Sequence, residues 1–154
     1  MKKSISWAAV ILWMVLIFYL SHQPAPESNE LSKGITKGVV NTTERVAPNA
    51  EFDIRSLNHI IRKNAHFFAY FVLGLLVINA LRVSGVNGTR SLILALGICV
   101  LYAVSDEVHQ LFIPGRSGEL RDVLIDSAGA SVGIGVYMLV SKRRKIRDRL
   151  IDIR

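Results

Sequence analysis

Four long apolar runs divide the chain, and polar segments or turns separate them. The runs lie at about 5–21, 64–81, 91–113 and 123–141. Each is close to the roughly 20 residues that an α-helix needs to cross the hydrocarbon core of a bilayer. Within each run the apolar residues are grouped rather than periodic, which is typical of a helix with lipid around it. The pattern predicts an all-α, polytopic membrane protein with four transmembrane helices.

The first run also resembles the charged and apolar parts of a secretory signal peptide, because Lys2 and Lys3 precede it. No cleavage site of small residues follows it. Trp7 and Trp13 are bulky for a cleaved segment and suit a membrane interface. We therefore expect a retained membrane anchor, with a cleaved signal as the alternative.

Composition supports a membrane protein and argues against a nucleic-acid partner. The 154 residues are enough for one domain, and 51% of them are hydrophobic, more than a typical soluble domain of this size contains. The net charge of +7 comes from cations at the ends of the apolar runs, where membrane topology explains them. Cys99 in the third run and the Gly129/Gly133 step in the fourth predict close helix packing.

Lysine and arginine residues predict the orientation, because they concentrate on the cytoplasmic side of membrane proteins. With four spans, three cationic groups fall on one side: Lys2 and Lys3, Arg82 and Arg90, and the basic tail 142–154. Both termini are therefore expected in the cytoplasm. The polar 22–64 segment and the turn between the third and fourth runs are then expected to face outward.

Polar side chains inside the runs carry the main functional signal. They recur at intervals of four residues: Arg62, His66 and Tyr70 on the second helix, Tyr102, Asp106 and Gln110 on the third, and Asp122 and Asp126 on the fourth. Residues four apart lie on one face of a helix. Because the three polar stripes lie at the same expected depth, we expect them to face one interior near the outer end of the bundle.

Charged residues beside these stripes complete the constellation. Glu107 follows Asp106, and Arg116 in the connecting turn can fold back over the acids as a bidentate clamp. An ionisable side chain near the bilayer centre costs about 2.5–3.5 kcal/mol on insertion scales, which favours a functional use for so many. The structural alternative is that the acids only pair with Arg62, Lys63 or Arg116. Buried ion pairs add little net stability, so this alternative is weaker.

Together these motifs resemble the VanZ-like family of small bacterial membrane proteins. The matching segments run in the family's order over nearly the whole chain: Ser21-His22-Gln23-Pro24, Lys63-x-x-His66-Phe67-x-x-Tyr70 with Leu73-Gly74, Asp106-Glu107-x-x-Gln110-x-Phe112 with Gly115-Arg116, and Asp122 through Gly129. Each motif is modestly specific by itself, whereas the combination is strong support for the resemblance. One departure is Asp126, which adds a negative charge at a position where the family often carries asparagine.

The resemblance implies a multi-pass protein of the bacterial cytoplasmic membrane with a link to the cell envelope or to envelope-directed antibiotics. The family takes its name from a protein of a glycopeptide resistance cluster that is associated with raised tolerance to teicoplanin. The resemblance supplies no reaction, no catalytic residues, no cofactor and no bound metal.

The first functional hypothesis is recognition of a membrane lipid or a lipid-linked envelope precursor by an outward-facing pocket. The expected pocket residues are Lys63, His66, Tyr70, Asp106, Glu107, Gln110, Arg116, Asp122 and Asp126. In this hypothesis Lys63 and Arg116 hold phosphate, whereas His66 and the acids bind a sugar, an amine or a metal.

Two alternatives come from other functional classes. The first is a membrane-embedded enzyme, in which His66 with Asp106 or Glu107 supplies acid–base pairing or binds a divalent metal. No known nucleophile motif surrounds Ser105 or Ser117. The second alternative is proton or ion movement, which ranks lowest because the acids form one ring at one depth and give no continuous polar path.

Overall fold

Four α-helices and their turns make up the described parts of the chain. The computed structural model describes residues 1–23, 54–116 and 118–152, together with Gly34; side chains of 54–59, 62 and 144–152 are not described. The helices are α1 (Lys2–Ser21), α2 (Ile54–Val83), α3 (Gly88–Gln110) and α4 (Leu120–Asp152). These ranges contain no strand, and the all-α prediction is confirmed. Of the 22–64 segment only residues 22, 23, 34 and 54–64 are described, and its outward position stays a prediction.

Each helix contains a segment that is long and apolar enough to cross a membrane. These segments are Lys2–Ser21, Lys63–Val83, Gly88–Gln110 and Leu120–Arg143. Large apolar side chains such as Ile93, Leu101 and Leu139 are exposed on the outer surface, where they suit lipid. The prediction of four membrane helices is confirmed.

The helices differ from the apolar runs at their ends. All four begin before the predicted starts, and α4 continues through much of the basic tail to Asp152. The predicted end of the third run at 113 was too late, because α3 ends at Gln110. Pro114 disfavours helical backbone at Ile113, the residue before it. Ile113 is apolar because it packs inside the turn, where it is 7% exposed.

Small residues let α2 and α4 form the most extensive helix pair in the bundle. A β-carbon at Gly129 would overlap the Phe67 carbonyl oxygen, and one at Gly133 would overlap the Phe71 carbonyl oxygen. The backbones of α2 and α4 therefore touch at Gly129 and, one turn later, at Gly133, as small residues allow in membrane helices. We call this contact the seam. The prediction that these glycines serve close packing is confirmed.

The middle of the bundle is an apolar layer, and the two ends differ. The layer contains Leu73, Val77, Ala95, Cys99, Ala130 and Ile134. Cys99 is a free buried thiol, as its packing role predicts. At one end Trp7 donates a hydrogen bond to Ser84 Oγ (3.1 Å). The opposite end, called here the polar end, gathers the C-terminal ends of α1 and α3, the start of α4 and the part of α2 around His66.

Candidate functional site

Three helices bring a histidine and two aspartates together at the polar end. His66 of α2, Asp106 of α3 and Asp126 of α4 each offer one ligand-type atom, and these atoms lie within 4.8 Å of one another. We call these three residues the buried cluster. Asp126 is 0% and Asp106 3% exposed. The sequence prediction that His66 and Asp106 face one interior agrees with this geometry.

Asp106 is held by donors from two helices. Its Oδ2 accepts a hydrogen bond from Ser21 Oγ (2.8 Å), at the last residue of α1, and a longer one from Gln110 Nε2 (3.4 Å). Gln110 lies one turn further along α3, which is why the four-residue spacing places its amide beside the carboxylate. Asp106 Oδ1 is buried and has no hydrogen-bond partner among the described residues.

Asp126 is the most deeply buried acid of the cluster and the least satisfied. Its Oδ2 lies 3.7 Å from His66 Nδ1, which is an ion-pair distance but too long for a hydrogen bond. Neither carboxylate oxygen has a hydrogen-bond partner in the described part of the chain. The Tyr70 hydroxyl is also buried without one, and the Tyr70 ring lies 6.1 Å from the Tyr102 ring. Unsatisfied buried polar groups are rare in native proteins and require an explanation.

Three charged side chains form the rim of the polar end. Lys63 Nζ lies 3.2 Å from Asp122 Oδ1 and 3.5 Å from Glu119 Oε2. The Lys63 and Asp122 side chains are 23% and 25% exposed, and that of Glu119 is 44% exposed. These pairs link α2 to the start of α4. Because they are partly open to solvent, each contributes at most about 1 kcal/mol to stability.

Glu107 contacts a different part of the protein from its neighbour Asp106. Successive residues project about 100° apart around a helix. Glu107 Oε2 accepts the backbone N–H of Glu119 (2.8 Å), the residue before α4 begins. A β-carbon at Gly118 would meet Leu111 Cδ2 at 2.9 Å, so the chain is tightly packed here. Glu107 therefore fixes the turn that leads into α4.

Arg116 reaches from this turn to the end of α1. Its Nη2 donates to the Leu20 carbonyl oxygen (3.5 Å). Leu20 lies in the last turn of α1, where unpaired carbonyls favour a cation. The Arg116 charge also acts on Asp106 and His66. A bidentate clamp over the acids stays a prediction, and the side chain of Arg62 and all of Ser117 lie outside the described residues.

The nine predicted pocket residues thus occupy one end of the bundle but do different things. The buried cluster has Tyr70 and Gln110 beside it, Lys63 and Asp122 form the rim with Glu119, and Glu107 and Arg116 hold the adjacent turn. Sequence reasoning missed two contributors, Ser21 and Glu119. Ser21 had a signal, since it opens the Ser-His-Gln-Pro motif. Glu119 had none, because its side-chain contact with Lys63 and its backbone contact with Glu107 both depend on the path of the turn.

A histidine pair joins α1 and α3 beside this site. His22 Nδ1 lies 3.1 Å from His109 Nε2, and the His109 ring lies 4.4 Å from the Phe18 ring. Neither histidine is among the nine residues predicted for the pocket. Ser21, the residue before His22, donates its own hydrogen bond to Asp106.

Four apolar spans around a buried polar cluster define a small polytopic membrane protein with an ionisable interior site. The VanZ/LLP1 family model matches residues 6–141, and the chain belongs to that family. The chain is 29% identical over 140 residues to the uncharacterized membrane protein YwnJ of Bacillus subtilis (strain 168). That alignment covers 91% of this chain and 81% of YwnJ. No solved structure matches the chain.

Proposed function

We propose that the protein binds the polar head group of a membrane lipid or of a lipid-linked envelope precursor at the polar end. The position of the charges carries this proposal. Partly exposed Lys63, Asp122 and Glu119 lie at or next to the ends of the segments Lys63–Val83 and Leu120–Arg143, which is the depth of lipid head groups if these segments span the membrane. Unsatisfied buried groups, among them the Tyr70 hydroxyl and Glu107 Oε1, lie further inside and offer hydrogen bonds to a ligand.

The balance of charge favours a head group with a cationic or hydroxyl-rich part. Among the described side chains of the site, carboxylates outnumber cations: Asp106, Glu107, Glu119, Asp122 and Asp126 against Lys63 and Arg116. Lys63 is shared between Asp122 and Glu119, so part of its charge is already neutralised. Amines and sugar hydroxyls suit the acids, whereas a phosphate would be held by Arg116 and Lys63.

The family membership adds a cellular context to this proposal. The polar end faces outward in the proposed topology, with both termini in the cytoplasm. A head group on the outer side of the cytoplasmic membrane then connects the protein to the envelope. Within the proposal, this binding contributes to tolerance of teicoplanin-type glycopeptides.

Lipids that copurify with the protein provide the test. The full chain is purified in native lipid discs, and bound lipids are identified by mass spectrometry. We expect one head-group class to be enriched over the bulk membrane and lost in Arg116→Gln. The control is Ser131→Ala, because Ser131 is exposed on α4 and bonds only within its own helix. If Arg116→Gln and the control retain the same lipids in the same amounts, the proposal is wrong.

A second candidate is an enzyme that acts on the same class of lipid-linked substrate. The ion-pair distance of 3.7 Å between His66 Nδ1 and Asp126 Oδ2 favours it, because a histidine next to a carboxylate is a common general acid or base. Lipid analysis of cells with and without the gene separates the two. A changed head group supports catalysis, whereas unchanged lipids with altered drug binding support recognition.

Proton or ion transport stays the weakest candidate. A transport path needs polar groups from one membrane face to the other. In the described parts of the bundle, the polar end is separated from the opposite end by apolar Leu73, Val77 and Cys99, all 0% exposed.

A further inference from the structure

We propose that His66, Asp106 and Asp126 form a binding site for a divalent transition-metal ion. Three different helices supply the ligand-type atoms, which lie within 4.8 Å of one another. Two ligands of a tetrahedral ion, each about 2.0–2.1 Å from it, lie about 3.4 Å apart. Small side-chain rotations are therefore enough to bring the three atoms to coordinating distance.

The buried carboxylate of Asp126, which lacks a hydrogen-bond partner among the described residues, points to a ligand independently of this spacing. Asp126 is 0% exposed, and neither of its oxygens has a hydrogen-bond partner among the described residues. A buried carboxylate is costly unless it is paired, hydrogen-bonded or bound to a metal. Asp106 and Asp126 place two carboxylates in one buried cluster. A divalent ion neutralises both while His66 is neutral, which is the form that binds metals.

The groups around Asp106 leave one oxygen available for the ion. Ser21 Oγ and Gln110 Nε2 both donate to Oδ2. Oδ1 has no hydrogen-bond partner in the described part of the chain. Such donors to the second oxygen orient a ligating carboxylate and raise metal affinity. Ser21 and Gln110 are therefore positioning residues for this site.

The donor set indicates which ions fit. One imidazole nitrogen and two carboxylate oxygens suit Zn²⁺ or Mn²⁺, since imidazole favours zinc and carboxylates are accepted by both. Three protein ligands leave a coordination position for water or for an oxygen of a bound molecule. The Tyr70 hydroxyl is buried and has no hydrogen-bond partner among the described residues. The side chain of His66 is 21% exposed, so the cluster is not completely closed in the described part of the chain.

This inference goes beyond head-group binding and does not depend on it, because the protein alone holds the ion. The test is therefore done in detergent without added lipid. The full chain is stripped with a chelator and titrated with Zn²⁺ or Mn²⁺ alone, by calorimetry and elemental analysis. We expect one ion per chain and a higher melting temperature when it is bound. Failure here would leave the head-group proposal intact.

Variants with a matched control locate the ion. We expect His66→Gln and Asp126→Asn each to weaken binding at least about 100-fold, and Ser21→Ala to weaken it about 10–100-fold. His109→Gln is the control, because this histidine lies at the same end but pairs with His22. If His66→Gln and Asp126→Asn bind the metal as tightly as His109→Gln does, or the wild type binds none, the site does not exist.

Spectroscopy of the wild type keeps the test decisive if a variant fails to fold. Co²⁺ substitutes for Zn²⁺ and reports its ligands through visible absorption. We expect the spectrum of a low-coordinate, mixed nitrogen–oxygen site. The spectrum of hydrated Co²⁺ in the presence of folded protein would overturn the proposal.

Discussion

The buried cluster differs from a structural ion pair in how its charges are satisfied. A structural pair surrounds each charge with hydrogen bonds, because desolvation otherwise outweighs the attraction. Asp106 follows this rule at Oδ2, through Ser21 and Gln110. Asp126 departs from it, with His66 at 3.7 Å and no hydrogen-bond partner in the described residues. This contrast favours a binding site over a structural role for the cluster.

Replacing Asp106 with asparagine separates the two roles. The change nearly conserves shape and removes only the charge. If Asp106 serves binding, we expect Asp106→Asn to remain inserted, with a stability change below about 1–2 kcal/mol, and to lose metal and head-group binding. If Asp106 only neutralises Arg116, the free energy of unfolding should fall by about 3–5 kcal/mol. Thermal unfolding in detergent, measured beside both binding assays, checks this.

The double variant Asp106→Asn with Arg116→Gln completes the comparison. Loss of both partners of a structural pair is much milder than loss of one. In a binding site the second change restores nothing, so we expect the double variant to stay inactive. Recovery of glycopeptide tolerance in the double variant would contradict the binding role.

Helix geometry explains which of these contacts the sequence could predict. His66, Asp106 and Asp126 were found from four-residue spacing, because the α-helix fixes which residues share a face. The contact between Ser21 and Asp106 joins residues far apart in sequence and depends on how α1 leans on α3. The contact between Glu107 and the Glu119 backbone depends on the path of the turn. No periodic pattern in the sequence shows how α1 packs against α3 or how the turn runs.

The seam between α2 and α4 positions His66 opposite Asp126. Gly129 lies one turn after Asp126 on α4, and Phe67 directly follows His66 on α2. Because Gly129 lets the two backbones touch at Phe67, the imidazole and the carboxylate meet across the seam. Gly133 extends the contact by another turn. The small residues therefore serve the site as well as the packing.

Adding one methyl group to this seam should separate the helices. We expect Gly133→Ala to destabilise the protein by about 1–3 kcal/mol, since its β-carbon would overlap the Phe71 carbonyl oxygen. Gly135→Ala is the matched control, because nothing lies within 4 Å of a β-carbon there. Alanine at that helical position should leave the free energy of unfolding unchanged or raise it by up to about 1 kcal/mol. Equal melting temperatures of the two variants in detergent would show that the seam is looser than described.

The ends of the helices were harder to predict than their number. Hydropathy records which residues meet lipid, but a helix ends where its backbone hydrogen bonds end. Ile113 is an apolar residue that is buried in the turn after α3, so the third apolar run extends past the end of the helix. At the other extreme, α4 continues as a helix through basic residues after its span. Charged residues with high helix propensity allow this, although hydropathy ends at the membrane surface.

Orientation decides which leaflet the polar end meets. The apolar layer divides the bundle into two unlike ends, and the cationic residues at the opposite end include Lys2, Lys3, Arg82 and Lys142. Concentration of cations on one side is the physical basis for predicting that side as cytoplasmic. An outward polar end would meet envelope precursors, whereas an inward one would meet lipids of the cytoplasmic leaflet.

Labelling of single cysteines in intact cells tests this orientation. Cys99 is buried and is first replaced by alanine, which leaves a protein without thiols. Gln23→Cys then reports on the polar end, and Lys142→Cys, at an exposed position, reports on the opposite end. The cations predict that the polar end faces outward and the opposite end faces the cytoplasm. We therefore expect a membrane-impermeant maleimide to label Gln23→Cys in intact cells. It should label Lys142→Cys only after permeabilisation. The reverse pattern would place the polar end in the cytoplasm and remove the basis for an extracellular head group, while the metal site would be unaffected.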